Sequence, residues 1–440
     1  MPFVFIALFL SSGALAAEEP LRVDLPAAVQ MALTRHPDVE KARTSADAFK
    51  GKVKEVRSQA LPQVNIVFDA LRMRDPSLLN ASGIENFPPE LRAALVPRGV
   101  GLFDYGLVVK QPLYTAGKVG TALRLAAVEA EGALTEIDRA EQDVALDVVR
   151  AFYALLWAEK YEKVVEETQQ QSRAHASTAR TRFQNGVATE VDVLRSEVAV
   201  ANGAPDLVRA RNAIHQARAR LNYMMVRPID APLSVDGDLE QRAFDTSSFD
   251  DLAAEAIRRR PEMHRLRVAE RSAGVQLDLA KAESRMRLDF AGQYGTAARL
   301  ASNLWNPEFA RWSMGISFSL PVFDGFKRSG MVWQATAAQR QARLDREKLE
   351  QEVKLTLQQA LDELNAARET VTAAQATVGQ ADKVLSMMQN NYKWGAATTL
   401  DILDAQTALS VARTNLLRGL HDYCVARAYL RWILGRTPWE

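Results

Sequence analysis

A single cysteine, Cys424, stands in the whole chain, so no disulfide framework can form within it. In a helical pattern of apolar spacing, a small buried thiol is the expected state of that residue. Beyond the N-terminal segment no run of 18 or more apolar residues occurs, which excludes a transmembrane helix. A formal net charge of +1, with no Lys/Arg-rich or acidic block, gives no electrostatic reason to expect nucleic acid as a partner. There is no Gly-rich phosphate loop, no H-E-x-x-H, no G-x-S-x-G and no Cys/His cluster, and the five histidines, His36, His175, His215, His264 and His421, are scattered. Neither catalysis nor a cofactor or metal is expected, and a lone helical histidine reads as a surface or packing residue.

What is present is said nearly twice. Gln111-Pro112-Leu113-Tyr114-Thr115-Ala116-Gly117-Lys118 recurs as Leu320-Pro321-Val322-Phe323-Asp324-Gly325-Phe326-Lys327, a shift of 209 positions. The run from Arg182 through Gly186, Thr189 and Asp192 to Leu194 recurs from Asn391 through Gly395, Thr398 and Asp401 to Leu403 at the same shift of 209. Two motifs sharing one shift imply a duplicated architecture. The pair Pro37 and Pro261 is 224 apart, so the first copy carries 15 extra residues, placed in the proline-containing run from Arg72 to Gly101. The expected organisation is a signal peptide at 1–17, a first repeat at 18–240 and a second at 241–440. The signal reading rests on the apolar stretch Phe3–Leu10 and the cleavage-site residues Ala14-Leu15-Ala16. No cysteine follows that site, so an N-terminal lipid anchor is not expected.

Each repeat is expected to hold a short leading helix, a β-hairpin (63–112 and 287–320), a long helix (117–184 and 327–393) and a returning helix (189–226 and 398–434). In the first long helix Leu123, Ala126, Ala130, Ala133, Ile137, Ala140 and Val144 recur at steps of three and four, continuing through Val148, Ala151, Leu155 and Ala158 after one stutter. In the second, Leu357, Ala360, Leu364, Ala367, Val371, Ala374, Val378, Ala381, Leu385 and Met388 keep the pattern unbroken. Such helices are far longer than those of a compact domain. The leading helical patterns run from Leu25 to Ala60 and from Phe249 to Arg285.

The hairpin segments alternate with period two, the signature of a strand with one apolar and one polar face. Val64, Ile66, Phe68 and Ala70 face one way in the first, and Trp312, Met314, Ile316 and Phe318 in the last; Phe103, Tyr105, Tyr294 and Trp312 are candidates for aromatic girdles. Nine or ten residues per strand is the length that crosses a bilayer at a tilt, but four strands cannot close a barrel. Closure therefore requires several copies: two would give a side-chain-filled interior, three a lumen.

These features resemble the TolC-type outer-membrane efflux family over essentially the whole mature chain. The most telling local match is Tyr392-Lys393-Trp394-Gly395 followed by Thr398 and Leu400-Asp401-Ile402-Leu403-Asp404-Ala405. The resemblance implies an α+β membrane protein in which a long coiled-coil α-helical barrel is continuous with a transmembrane β-barrel, closed by a homotrimer of four strands each. It implies an exit duct in the cell outer membrane of a Gram-negative bacterium, working with a periplasmic adaptor and an inner-membrane efflux pump or ABC-type secretion transporter. Gly186, Thr189, Gly395 and Thr398 would form the helix-tip turns, and Asp401, Asp404, Tyr392 and Asp192 the periplasmic gate. Where family members with a described latch carry an arginine, Ala397 stands here, so that salt bridge cannot form and the closed state would rely on Tyr392, Lys393 or Trp394. The rival readings are a periplasmic coiled-coil adaptor or scaffold, which would share the long helices but not the strands, and a dimeric filament.

Overall fold

The protein is described here from a computed structural model covering residues 21–73, 86–91, 100–244 and 247–439. The signal segment at 1–17 and most of the insertion between Arg72 and Gly101 lie outside the described residues. In chain order the elements are β1 (Leu21–Val23), α1 (Leu25–Arg35), α2 (Pro37–Ser58), β2 (Gln63–Met73), β3 (Val100–Tyr114), α3 (Lys118–Gln184), α4 (Glu190–Met224), β4 (Leu233–Val235), α5 (Phe249–Arg259), α6 (Pro261–Ala282), β5 (Arg287–Ala298), two 3₁₀ turns (Ala301–Trp305 and Pro307–Phe309), β6 (Ala310–Ser319), α7 (Lys327–Lys393) and α8 (Thr399–Ile433). No described helix is long and apolar enough to cross a membrane.

The chain divides into two compact units, and each draws on both sequence halves. One takes the segment ending at Arg43, Thr135–His264 and the segment beginning at Lys348; the other takes Thr44–Leu134 and Arg265–Glu347.

α3 and α7 are 67 residues each, about 100 Å long at 1.5 Å per residue. The three-four spacing in α7 predicts its inner face: Leu357, Ala360, Leu364, Ala367, Val371 and Leu385 are buried, and Ala374, Val378, Ala381 and Met388 are half-buried between them. Alanine at alternate layers lets helices approach closely, while leucine and valine supply the buried area. In α3 the stretch from Val144 to Ala158 is buried on more than one side, with Ala145, Val149, Phe152 and Leu156 joining the seam positions. A helix buried on several sides is an interior helix; here Asp147 and Arg150 keep one side open, and α1, α4 and α8 cover the rest through Val29, Ile214, Leu221 and Ala428. Truncating Leu357 to Ala, a side chain with 0% exposure, is expected to lower unfolding stability by about 3 kcal/mol. Lys354→Ala on the exposed side is the control, and chemical denaturation of the detergent-solubilised protein reads both.

The single leading helix expected in each half is in fact two. His36 and Arg260 sit in extended conformation between α1 and α2 and between α5 and α6, because the ring of the following Pro37 or Pro261 disfavours the helical region for the residue before it. The two-stranded parallel sheet of β1 and β4, Leu21 opposite Leu233 and Val23 opposite Val235, has no counterpart in the sequence reading.

In the other unit β2, β3, β5 and β6 form one antiparallel sheet in that order. The alternation fixes its faces: Val64, Ile66 and Phe68 in β2 are 57%, 72% and 58% exposed, and Trp312, Met314, Ile316 and Phe318 in β6 are 70%, 70%, 64% and 62% exposed. The opposite face carries Asp69, Asp104, Lys110, Gln293, Arg311, Ser313 and Ser317, and Asp104 and Arg311 pair across β5. That reach over β5 passes Gly295, whose lack of a side chain leaves the space. Beside the sheet, Lys118 and Glu283 join the starts and ends of α3 and α6 at 2.5 Å, and Arg271 meets Glu131 at 2.6 Å.

Candidate functional site at the helix turns

α3 and α7 end in the same way. Gly186 (φ +73°) and Gly395 (φ +74°) adopt the left-handed conformation that only glycine takes without penalty. The N–H of Gly186 donates to the Phe183 carbonyl at 2.9 Å and that of Val187 to Arg182 at 2.9 Å; Gly395 donates to Tyr392 at 3.1 Å and Ala396 to Asn391 at 2.8 Å. Each is a Schellman closure, which satisfies carbonyls that a helix end leaves unpaired.

The next helix then starts with a reciprocal cap. The Thr398 hydroxyl oxygen accepts from the Asp401 N–H at 3.3 Å, while the Asp401 carboxylate accepts from the Thr398 N–H and hydroxyl, both at 2.7 Å. Thr189 and Asp192 repeat this with 3.1 Å and 2.7 Å bonds to the Asp192 carboxylate. Aspartate here closes the box from the third position where glutamate or glutamine is usual. Hydrogen bonds from the Thr398 backbone and then its hydroxyl hold the Asp401 carboxyl below the usual carboxylate range, and the Thr189 hydroxyl and then backbone do the same for Asp192. Both are anionic at neutral pH.

The candidate gate residues therefore fall into distinct settings. Asp401 and Asp404 lie on one exposed face of α8, a turn apart, while the residue after each, Ile402 and Ala405, is buried. Tyr392 is only 6% exposed, packed with Leu385, Ile402, Ala405 and Leu409. Its hydroxyl lies 3.3 Å from Thr399 Oγ1, and the Thr399 side chain also lies near enough to the Asp192 carboxylate to help hold its pKa down. Tyr392 and Asp192 thus converge on one buried threonine. Trp394 is 88% exposed and Lys393 is exposed as well, so of the three residues expected to compensate for Ala397 only Tyr392 is built into the packing.

Two residues at this site were not singled out from sequence. Arg182 places its guanidinium carbon 4.6 Å from the Tyr392 ring centroid and donates from Nη1 to the Tyr392 carbonyl at 2.8 Å. The His175 ring lies 5.3 Å from that of Tyr392, tilted by 59°. The available signal was their separation of seven residues, two turns of one helix face. Among the described residues no group of three or more His, Cys, Asp or Glu could hold a metal ion. Cys424 is buried, and its thiol points at the Glu240 carbonyl, 3.6 Å away.

Long helices paired through glycine turns and Thr–Asp caps, together with an antiparallel sheet that exposes an apolar face, place the chain in the fold class of the helical outer-membrane channels. The CmeC outer membrane channel of Campylobacter jejuni superposes with a TM-score of 0.78 over 93% of this chain and 85% of its own, at 16% identity. The outer membrane protein VceC of Vibrio cholerae does so with a TM-score of 0.75 over 94% and 96%, at 18% identity. The chain belongs to the outer membrane efflux protein family, whose model matches it twice, over residues 28–225 and 252–436. Among its relatives, the alkaline protease secretion protein AprF of Pseudomonas aeruginosa is 24% identical over 299 residues, 67% of this chain and 62% of AprF. The outer membrane protein TolC of Vibrio cholerae is 23% identical over 436 residues, 98% of this chain and 94% of that protein.

Proposed function

We propose that the protein is a passive exit duct of the outer membrane, assembled from three copies and serving an efflux or type I secretion system. The observation that carries this reading is the four-stranded sheet with its exposed apolar face. A face of Val64, Ile66, Phe68, Met314, Ile316 and Phe318 open to water would be an aggregation surface on a soluble protein; against lipid it is the outer wall of a barrel. Strand direction favours closure between copies. β2 and β6 are the two edges, and in an antiparallel sheet of four strands they run in opposite senses. The β6 of one copy can therefore pair antiparallel with the β2 of the next, and three copies give twelve strands with a lumen lined by the polar face.

The two separate matches to the family model and the repeated glycine and threonine turns support descent of the helical part from a duplicated unit. As the helix turns would form the periplasmic entrance, Asp401 and Asp404 would line it as two anionic rings, with Tyr392 and Asp192 holding it shut. A periplasmic adaptor and an inner-membrane pump or ABC-type transporter would supply the opening force and the energy, since no nucleotide-binding motif exists in the chain. The printed role of AprF in protease secretion favours inclusion of polypeptide export among the systems served. An adaptor or scaffold would have no use for the exposed sheet face.

Edge-to-edge cross-linking tests the assembly. Asn65 in β2 and Ser313 in β6 lie on one row of the ladder, through Val108 and Gln293. Cysteines at both, in a Cys424→Ser background and with a linker long enough to span the stagger, are expected to give cross-linked species that stop at three chains. A series stopping at two would support the filled eight-stranded barrel, and no cross-linking in intact outer membranes would defeat the duct.

A further inference from the structure

The two helix turns are built alike, yet the side chains behind them are not. At the shift of 209, Arg182 corresponds to Asn391, His175 to Val384 and Tyr392 to Phe183. Phe183 is 44% exposed and Val384 46% exposed, whereas Tyr392 and His175 are 6% and 8% exposed. Local turn geometry is therefore common to both copies, and a cation, an imidazole and a phenol have been brought together only where α3 meets the end of α7.

We propose that Arg182 is the positioning residue that clasps the α7 turn to α3 and keeps the entrance closed, and that His175 makes this clasp acid-sensitive. The inference rests on reading the turns as the gate. It supplies from α3 the arginine that is missing at Ala397.

Arg182 holds α7 at two points at once. Nη1 bonds the Tyr392 carbonyl, which also accepts from the Gly395 N–H and sits in the last turn of α7, where the negative end of the helix dipole favours a cation. The flat guanidinium also lies over the Tyr392 ring. A lysine, a point charge on a flexible stem, cannot meet both demands in one geometry. Tyr392 is also held from the other side by Thr399 of α8, so moving α7 away from α3 must break the carbonyl bond and the ring contact together.

His175 packs on the same ring with its Nε2 buried and unpartnered. The titratable groups that face it are Tyr392 from α7 and Asp192 from α4, with Arg182 two turns along its own helix; α8 contributes the uncharged Thr399. Burial holds the imidazole below its ordinary value, and the Asp192 charge opposes this in part. For a base whose charged form the closed state disfavours, closure is at full strength above the ordinary imidazole value of about 6.5 and weakens as pH falls below it. A second cation on the Tyr392 ring beside Arg182 would then work against the clasp.

The test uses assembled, full-length trimers in planar bilayers, with spin labels on the exposed residues Thr178 and Asn390 reporting α3–α7 separation. Arg182→Ala and Arg182→Lys are both expected to raise the open fraction about tenfold, the loss that follows from removing a charge-assisted bond and a ring contact, and to widen the label separation. Lowering the pH from 7.5 to 5.5 is expected to do the same in wild type and not in His175→Gln. Wild-type separation and conductance in both arginine variants would overturn the clasp. Equal acid responses in wild type and His175→Gln would overturn the histidine's part. A widened separation with unchanged conductance would instead sink the gate reading, and the clasp's role with it, while leaving the contact in place.

Discussion

Gly295→Val is expected to abolish assembly of the protein in the outer membrane. Gly295 in β5 pairs with Gly106 in β3, and the two backbones approach so closely that a Cβ on Gly295 would run into the Tyr105 carbonyl oxygen and the Gly106 Cα. A Cβ on Gly106 would in turn lie 2.9 Å from the Tyr294 carbonyl oxygen. Those atoms belong to the hydrogen-bonded ladder and cannot rotate aside as a side chain would, so the strands must separate, at a cost of about 3 kcal/mol or more. The lost space is also where Asp104 and Arg311 reach each other over β5. Gly315, on the same face in β6, has nothing within 4 Å of where its Cβ would be. Gly315→Ala is therefore the control. Heat-modifiable migration of outer-membrane fractions reads the outcome: a wild-type oligomer band from Gly295→Val would show that the β3–β5 approach is not needed for assembly.

The two aspartates of α8 are expected to separate into different phenotypes. Asp404 is an exposed carboxylate one turn beyond the cap, so Asp404→Ala should remove charge from the entrance and little else. In planar bilayers it is expected to cut cation-over-anion permeability severalfold, as loss of one anionic ring from a narrow aqueous entrance does, with no change in thermal midpoint. Asp401 has a second duty. Its carboxylate accepts from the Thr398 N–H and hydroxyl, so Asp401→Ala should change selectivity and also lower the thermal midpoint by loosening the start of α8. A Thr398→Ala variant would reproduce the second effect without removing charge. Equal melting behaviour of Asp401→Ala and Asp404→Ala would refute this division of roles.

The α7 seam and the sheet were readable because both are local repeats. Residues such as Leu357, Leu364 and Val371 fall on one side of a helix by spacing alone, and Val64, Ile66 and Phe68 fall on one side of a strand in the same way. Turn chemistry was equally readable: Gly186 and Gly395 can end a helix, and Thr189 and Thr398 can open one, for reasons contained within five residues of chain. The break at His36 and Arg260 was also written in the sequence, since each precedes a proline, but an apolar pattern continuing on both sides masks it. The burial of α3 around Phe152 was less visible, because the stutter near Val144 hides a helix that is apolar on several sides.

Sequence by itself thus determined the elements, their faces and their caps, since these depend on neighbours within a turn or two of the same chain. Only the tertiary structure decided which of those faces meet. That Asp192 and Tyr392 converge on Thr399, and that Arg182 and His175 close on the Tyr392 ring, are facts of contact between segments some 210 residues apart in sequence. β1 with β4, and Gly106 with Gly295, are of the same kind. Such pairings are set by the packing of whole helices and strands, where the energy of each contact depends on a partner that no local pattern names.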